Sequence, residues 1–381
     1  MFFFLKKIKK KIYFDNSSTN QKPDILFKSI INILQKKNFN LNRGNNNLNI
    51  ENFFFFKKIK KILNLLINNI FIEEIIFFFN STFSINFLLL NLLNIIKKNY
   101  QILISNKEHN SILISLIKIL KFKKNKIIVF PSIKNKNYLN IFCNFINSNT
   151  FVFIINHISN NFGYINKIKY FFKICLFNNI ITILDCTQSI TYLKINIKKT
   201  NIIFLFFSFH KIYSLTGSSL LFCNMFMLKK INMLFTGGGN VNFNNYIIKH
   251  KKYDEKFYFG TQNFISIFSS YYSIKWFLTN KKFIFYKNLY FKKIIFCIFN
   301  KKKKTFSNIL LINSKNVFFL NNILNLNKII IRCDYLCNFM KIMFINKKNN
   351  CRISFNFFNK IKEILKIKFL IFFYNFRIKN C

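Results

Sequence analysis

The sequence predicts an α/β fold in which a mainly parallel sheet lies between layers of helices. Apolar residues make up 51% of the 381 residues, while Gly and Pro number only 7 and 2, which is typical of a chain with a large hydrophobic core. Helix-length segments separate short runs rich in Ile, Val and Phe, and strands buried on both faces have this continuous apolar pattern. These runs are residues 101–105, 126–130, 150–156, 180–185 and 202–209.

The N-terminal part of the chain predicts no targeting segment. The opening run MFFFL is too short for the apolar core of a signal peptide, so we expect no secretory leader. Segment 75–96 has the length of a membrane span, but Asn, Ser and Thr interrupt it, and it is predicted to form a buried strand followed by a buried helix. Nine cysteines at irregular spacing do not resemble a secreted disulfide framework, so we expect free thiols and a cytoplasmic protein.

The pattern changes near residue 275, where the sequence becomes rich in Lys and Phe and less regular. This change includes the KKKK run at 301–304. We therefore predict a large domain over residues 13–275 and a smaller domain over residues 276–381, with residues 1–12 packed against the smaller one.

The strongly basic balance does not identify a partner. The formal net charge is +49, enough to attract polyanions without selectivity. Nearly all of this charge is Lys, however, and Lys, Asn, Ile and Phe share A/T-rich codons, while specific base readers favour Arg, of which this chain has only four. Codon bias is the favoured interpretation, and nucleic-acid binding remains an alternative.

Two polar residues close neighbouring apolar runs. Asp185 ends the run 180–185, and Lys211 follows the run 202–209. A buried carboxylate requires a partner, so a structural ion pair between them is one interpretation. The other is a site for pyridoxal phosphate, in which the lysine forms a Schiff base and the carboxylate holds the pyridinium nitrogen protonated. Ser81 and Thr82 precede a predicted helix and suit the phosphate, although Ser-Thr there is also a common helix cap.

Several short motifs, taken in order, resemble the class V aminotransferase family and, within it, cysteine desulfurases of the SufS type. The motifs lie at 13–19 with 21–23, 42–44, 80–82, 108–109, 157–160, 185–188, 208–211, 237–239, 260–261 and 351–355. The resemblance implies the pyridoxal-phosphate-dependent transferase fold type I, with a large cofactor-binding domain and a smaller α+β C-terminal domain.

The resemblance also implies a role for each matched residue. Lys211 would carry the cofactor, Asp185 would pair with its ring nitrogen and His109 would stack on its ring. Gln188 and Asn160 would hydrogen-bond the phenolic oxygen of the ring. The phosphate would be bound by Ser81, Thr82, Ser208 and His210. A further phosphate contact, Thr261, would come from the neighbouring subunit, which implies a homodimer.

The stretch 331–337 resembles the segment that carries the nucleophilic cysteine of SufS-type enzymes, and Cys337 falls on that position. Arg352 matches the arginine that binds the substrate carboxylate, a task suited to its bidentate geometry. Asp334, Tyr335 and Leu336 depart from the Gly-His-His of the family. Cys333 and Cys337 also have the spacing of one helix face or half a metal site, but no convincing zinc spacing accompanies them, and no metal is expected.

The resemblance implies a cysteine desulfurase that converts L-cysteine to L-alanine and leaves a persulfide on Cys337. The sulfur would pass to a SufE- or SufU-like acceptor for iron-sulfur cluster assembly. Two alternatives stay open: another class V pyridoxal-phosphate lyase or transaminase, such as a selenocysteine lyase, and a degenerate basic protein with affinity for nucleic acid.

Overall fold

The computed structural model of the chain describes most of its residues. They are residues 11–36, 47–96, 99–121, 125–131, 137–244, 247–299, 307–314, 316–333 and 350–379. The predicted motif at 42–44, the lysine run at 301–304 and Cys337 lie outside these ranges.

A seven-stranded sheet forms the centre of the larger part of the molecule. Its strands are β2 (Ile75–Phe78), β3 (Gln101–Ser105), β4 (Lys126–Phe130), β5 (Thr150–Asn156), β6 (Ile181–Asp185), β7 (Phe204–Ser208) and β8 (Ser219–Cys223). They lie in the order β2-β8-β7-β6-β5-β3-β4. Only β8 is antiparallel to its neighbours, β2 and β7, and the pairs from β7 to β4 are all parallel. The apolar runs therefore mark sheet strands, and the predicted α/β class is confirmed.

Helices connect these strands and cover the sheet. They are α1 (Asp24–Lys36), α2 (Asn47–Ile67), α3 (Ser81–Ile95), α4 (Asn110–Leu120), α5 (Tyr138–Asn144), α6 (Ile168–Phe177), α7 (Met225–Lys230) and the long α8 (Phe264–Ile298). A short antiparallel pair, β9 (Val241–Asn244) and β10 (Ile247–His250), follows α7. Every residue of β2, β6, β7 and β8 is buried, as expected for strands covered on both faces.

Segment 75–96 forms β2 and then α3, as its interrupted apolar pattern predicted. Asn80 begins the helix, because its side-chain oxygen accepts a hydrogen bond from the main-chain N–H of Phe83 at 2.8 Å. Among the described residues, no helix has the length and apolar character needed to cross a membrane.

A second, smaller sheet lies near the C-terminal end of the chain. It contains β11 (Ile309–Asn313), β14 (Asn350–Ser354) and β13 (Arg332–Cys333), all antiparallel in the order β11-β14-β13. The helices α9 (Val317–Leu326) and α10 (Ile361–Lys379) accompany it. Strand β1 (Ile12–Tyr13) returns to this region and pairs in parallel with β12 (Ile329–Ile330).

The described hydrophobic residues form two main clusters that meet along one helix. The larger cluster packs around the seven-stranded sheet, and its buried residues on α8 extend to Ile284. The smaller cluster includes Phe14 and, on the same helix, residues from Phe291 onward. The predicted boundary at 275/276 thus falls inside continuous α8. The two-domain division stays a prediction.

Cys333 and Cys351 form a disulfide across β13 and β14, where they occupy directly opposite positions. The expectation of free thiols throughout is therefore wrong for this pair, because strand register brings together two residues 18 positions apart. Five other described cysteines are free. The described residues contain no cluster of three or more metal-ligating side chains.

Candidate active site

A cavity of about 210 Å³ lies where β5, β6 and β7 end. Their carboxyl ends meet at one edge of the sheet because the three strands are parallel, and this edge is where α/β proteins bind ligands. Ten residues predicted for the site line this cavity: Ser81, Thr82, His109, Asn160, Asp185, Gln188, Ser208, His210, Lys211 and Arg352. Ser81 and Arg352, which lie 271 positions apart in sequence, thus line the same cavity.

Two predicted residues are not placed in the cavity. Thr261 is exposed and does not line the cavity of its own chain. Its predicted role concerns a neighbouring subunit, so that role stays a prediction. Cys337 lies outside the described residues, although Cys333, the last described residue before it, is anchored to Cys351.

Lys211 lies in a single turn of 3-10 helix, Phe209–Ile212, that follows β7 directly. Tyr213 ends this turn with a positive φ of 64°, a conformation that non-glycine residues seldom adopt. The Lys211 Nζ donates a hydrogen bond to the main-chain oxygen of Ser17. Burial, with a smaller contribution from the Arg352 guanidinium, lowers the pKa of the Lys211 amine to about 7. A neutral, nucleophilic amine is therefore accessible near neutral pH.

Asp185 ends β6, and its Oδ1 accepts a hydrogen bond from the main-chain N–H of Thr187 at 2.8 Å. Burial raises the pKa of the carboxyl group above its usual value, although Thr187 and the charge of Lys211 act in the opposite direction. Among the described ion pairs none joins Asp185 to Lys211; both side chains instead line the same cavity. This arrangement favours a ligand between the two groups over the direct structural ion pair.

Hydroxyl groups surround the beginning of helix α3 at one side of the cavity. The Ser208 Oγ lies 2.6 Å from the Ser81 Oγ and accepts a hydrogen bond from the Ser81 N–H at 3.1 Å. His210 lies beside them, and burial together with the charge of Lys211 lowers its pKa to about 3, so its imidazole is neutral. Its buried Nδ1 has no hydrogen-bond partner within the described part of the chain. Hydroxyls, an imidazole and a helix N-terminus together suit an anion.

His109 begins helix α4 and presents a neutral ring to the cavity. Its Nδ1 accepts a hydrogen bond from the main-chain N–H of Ser111 at 3.1 Å, which places the ring proton on Nε2. Burial and the nearby cations, chiefly Lys211, lower the pKa of His109 to about 4. An uncharged ring fixed by its helix is suited to stacking against a planar ligand.

The N-terminal segment also lines the cavity, through Ser17 and Ser18. The Ser17 main-chain oxygen accepts hydrogen bonds from Lys211 and from the Gln188 Nε2, the latter at 2.8 Å. Asn20 and Lys22 hold this segment against the turn that carries Lys211, because both donate hydrogen bonds to main-chain oxygens of that turn. The loop after β1 is therefore part of the site.

Arg352 reaches the cavity from β14 of the small sheet and is almost fully buried. Its Nη2 donates to the Asp15 Oδ1 and to the Ser18 Oγ, both at 2.8 Å. Its Nη1 donates to the main-chain oxygen of Asn160 at 3.3 Å. Arg332 on β13 lines the same cavity. The sequence motifs include these residues, but a role for Asp15, Ser18 or Arg332 was not predicted. The rarity of arginine in this Lys-rich chain was the signal that could have found Arg332.

A larger cavity of about 600 Å³ lies between α2 and the turn Tyr253–Phe257. The buried ion pair of Lys60 with Asp254 lines it. None of the predicted site residues does, so volume alone does not identify the candidate active site.

Comparison with known proteins gives a consistent result. A Plasmodium berghei protein that carries the name cysteine desulfurase PbSufS is 34% identical over 202 residues, which are 51% of this chain and 38% of that protein. A Borreliella burgdorferi protein named as a cysteine desulfurase is 30% identical over 273 residues, 67% of this chain and 63% of that protein. The matches thus span less than two thirds of the length of either relative.

The fold also has close structural counterparts. The apo structure of a cysteine desulfurase from Thermococcus onnurineus superposes with a TM-score of 0.89 and covers 95% of this chain and 94% of that one, at 21% identity. This likeness confirms the predicted fold. The family model described as aminotransferase class-V matches residues 12–367, nearly the whole chain, and the predicted resemblance is correct: this chain belongs to the class V aminotransferase family.

Proposed function

We propose that this chain is a pyridoxal-phosphate-dependent cysteine desulfurase that converts L-cysteine to L-alanine. The observation that carries the proposal is the pairing, in one cavity, of a half-buried lysine with a lowered pKa and a separate buried carboxylate. The relatives named as cysteine desulfurases support the same reaction.

The described residues fit the proposed cofactor. The buried Nδ1 of His210 and Oγ1 of Thr187 have no partner in the described part of the chain, and both residues line the cavity. The hydroxyls at the start of α3 suit a phosphate, and the Asp185 carboxylate suits a protonated ring nitrogen. When bound, pyridoxal phosphate would supply an electron sink for the pair left when the substrate Cα–H bond breaks.

The chain's own residues would perform the remaining tasks. Lys211 would anchor the cofactor, and its amine, once displaced by substrate, would remove the Cα proton, for which a pKa of about 7 is suitable. His109 would fix the plane of the ring, and Gln188 and Asn160 would bind its phenolic oxygen. Arg352, which also lines the cavity, would bind the substrate carboxylate.

The proposed nucleophile is Cys337. Its thiolate would attack the substrate sulfur, so that an S–S bond forms on the enzyme while the substrate C–S bond breaks. The electron pair released to the substrate carbon would take up a proton and give alanine. The disulfide of Cys333 with Cys351 supports this placement, because it holds the residue four positions before Cys337 beside Arg352.

The proposal includes partners and a location. We propose a homodimer in which Thr261 of one subunit contacts the phosphate bound to the other, since Thr261 is exposed and lies outside its own cavity. The persulfide would pass to a SufE- or SufU-like acceptor for iron-sulfur cluster assembly, in the cytoplasm.

Two variants of the purified protein test the proposal. Lys211→Ala should abolish the visible absorption band of lysine-bound cofactor, which would otherwise shift when L-cysteine is added. Cys337→Ser should keep the band but lose alanine and sulfide production. A protein without the band in its wild-type form would be the basic, non-catalytic alternative. Full turnover by Cys337→Ser would instead indicate another class V lyase or transaminase.

A further inference from the structure

The Ser18 hydroxyl lies between the charged side chains of Asp15, Arg332 and Arg352. It donates a hydrogen bond to the Asp15 Oδ1 at 2.8 Å. It accepts one from the Arg352 Nη2 at 2.8 Å and a longer one from the Arg332 Nη1 at 3.4 Å. One hydroxyl thus contacts one carboxylate and both guanidinium groups, which uses its donor and both of its acceptor positions.

The two arginines occupy directly opposite positions on β13 and β14. Like charges directly opposite each other on neighbouring strands repel, so this arrangement requires groups that hold the side chains in place. Ser18 and Asp15 supply such groups.

The charges around the cavity favour an anionic ligand. Of the described residues that line it, Lys211, Arg332 and Arg352 carry or can carry positive charge, and Asp185 is the only carboxylate. Besides Ser18, the Arg352 guanidinium is held by Asp15 and by the Asn160 oxygen. A contact with a substrate carboxylate requires a guanidinium held in one orientation, and loss of one of these contacts would let the group rotate.

We infer that Ser18 is a positioning residue that fixes the guanidinium of Arg352, with that of Arg332 beside it, for recognition of the α-carboxylate of an amino-acid substrate. This inference rests on the proposed function, because it assigns Arg352 to the substrate carboxylate. It adds a determinant of specificity: Ser18 makes the site select amino acids over the corresponding amines.

The test measures binding to the cofactor-loaded protein without turnover. L-alanine and ethylamine differ by the carboxylate, and neither contains sulfur, so their dissociation constants can be measured from the change in cofactor absorbance and by calorimetry. Ser18→Ala should weaken L-alanine binding about tenfold, as expected for loss of a hydrogen bond to a charged group, and leave ethylamine binding unchanged. Ser18→Thr keeps the hydroxyl, and Ser18 is only half-buried, so this variant should bind both ligands as the wild type does.

Matched variants separate positioning from general damage. Ser29→Ala removes a buried hydroxyl that donates to the Leu26 oxygen in α1, away from the cavity, and should change neither constant. Equal weakening of both ligands in Ser18→Ala, no weakening, or a Ser18→Thr variant that loses selectivity would overturn the inference. If Ser18→Ala does not fold, the nearly isosteric Ser18→Cys must show the same selective loss. A protein that selects L-alanine through Ser18 but releases no sulfide from L-cysteine would refute the proposed desulfurase and leave this inference intact.

Discussion

Lys211 is unusual for a lysine because it is half-buried and its amine lies near two arginines. Burial and the nearby Arg352 lower its pKa from 10.5 to about 7, so the amine is neutral and nucleophilic above about pH 7 and protonated below it. We therefore expect the rate at which cofactor-free protein captures pyridoxal phosphate to rise with pH, with a midpoint near 7, and then to level off. Stopped-flow absorbance measures this rate at pH values from about 5.5 to about 9.5, which lie on both sides of the pKa.

Arg352→Met supplies the control for this pH profile. Removal of the positive charge relieves one of the causes that lower the Lys211 pKa, so the midpoint should move to higher pH. A midpoint near 10 in the wild type would mean that Lys211 is exposed to solvent and that the proposed site is wrong.

Sequence motifs can predict a site residue where its proposed role depends on the chemistry of its own side chain. Asp185, His109 and Lys211 were predicted and do line one cavity. The Ser17 acceptor was not predictable, because it is a main-chain oxygen and any residue type would supply it. The pairing of Asp15 with Arg352 joins residues 337 positions apart, and no local pattern encodes such a contact.

Helix α2 is fastened to the turn Tyr253–Phe257 by the buried ion pair of Lys60 with Asp254. Burial lowers the pKa of Lys60 and raises that of Asp254, so each charge depends on the other for compensation. We expect Lys60→Met or Asp254→Asn alone to lower the free energy of unfolding by about 3–5 kcal/mol, because each leaves one buried charge unpaired. Urea denaturation measures the change.

The double variant and a neighbouring residue test that explanation. Lys60→Met combined with Asp254→Asn should cost less than the sum of the two single changes, because no charge then remains buried without its partner. Lys57 lies on the same helix but is exposed, and Lys57→Met should change the unfolding free energy by less than about 0.5 kcal/mol. Strictly additive single changes would show that the two side chains do not interact.

Strands were predictable where burial on both faces produces continuous apolar runs, as in β3, β5 and β7. The individual strands of the small sheet were not predicted from the sequence. β13 has only two residues, and the general bias toward Phe, Ile and Lys conceals such short elements. The change in pattern near residue 275 also falls within α8, because one helix contributes to both hydrophobic clusters.

The loop that follows β5 approaches the small sheet at Gly163. Its main-chain oxygen accepts a hydrogen bond from the Ser307 N–H at 2.7 Å, and an added Cβ would lie 2.5 Å from the Ile309 oxygen of β11. Gly163 also has a positive φ of 62°. Gly163→Ala should therefore lower the free energy of unfolding by more than the roughly 1 kcal/mol expected from backbone strain alone.

Gly260→Ala isolates the strain from the contact. Gly260 has a similar φ of 65°, but nothing lies within 4 Å of its added Cβ, so only the conformational cost applies. Thermal unfolding of the two variants should show a larger loss for Gly163→Ala. Equal losses would mean that the approach of β11 to this loop contributes nothing to stability.

The bond from Lys211 to the Ser17 oxygen has a consequence for how the site tolerates mutation. Because the acceptor belongs to the peptide backbone, base changes at codon 17 can replace the side chain while the oxygen remains in place. In a gene whose composition drifts toward A and T, such an acceptor persists through substitutions that would remove a side-chain partner. A mutation would then remove this hydrogen bond by replacing Lys211 or by displacing the loop that contains Ser17.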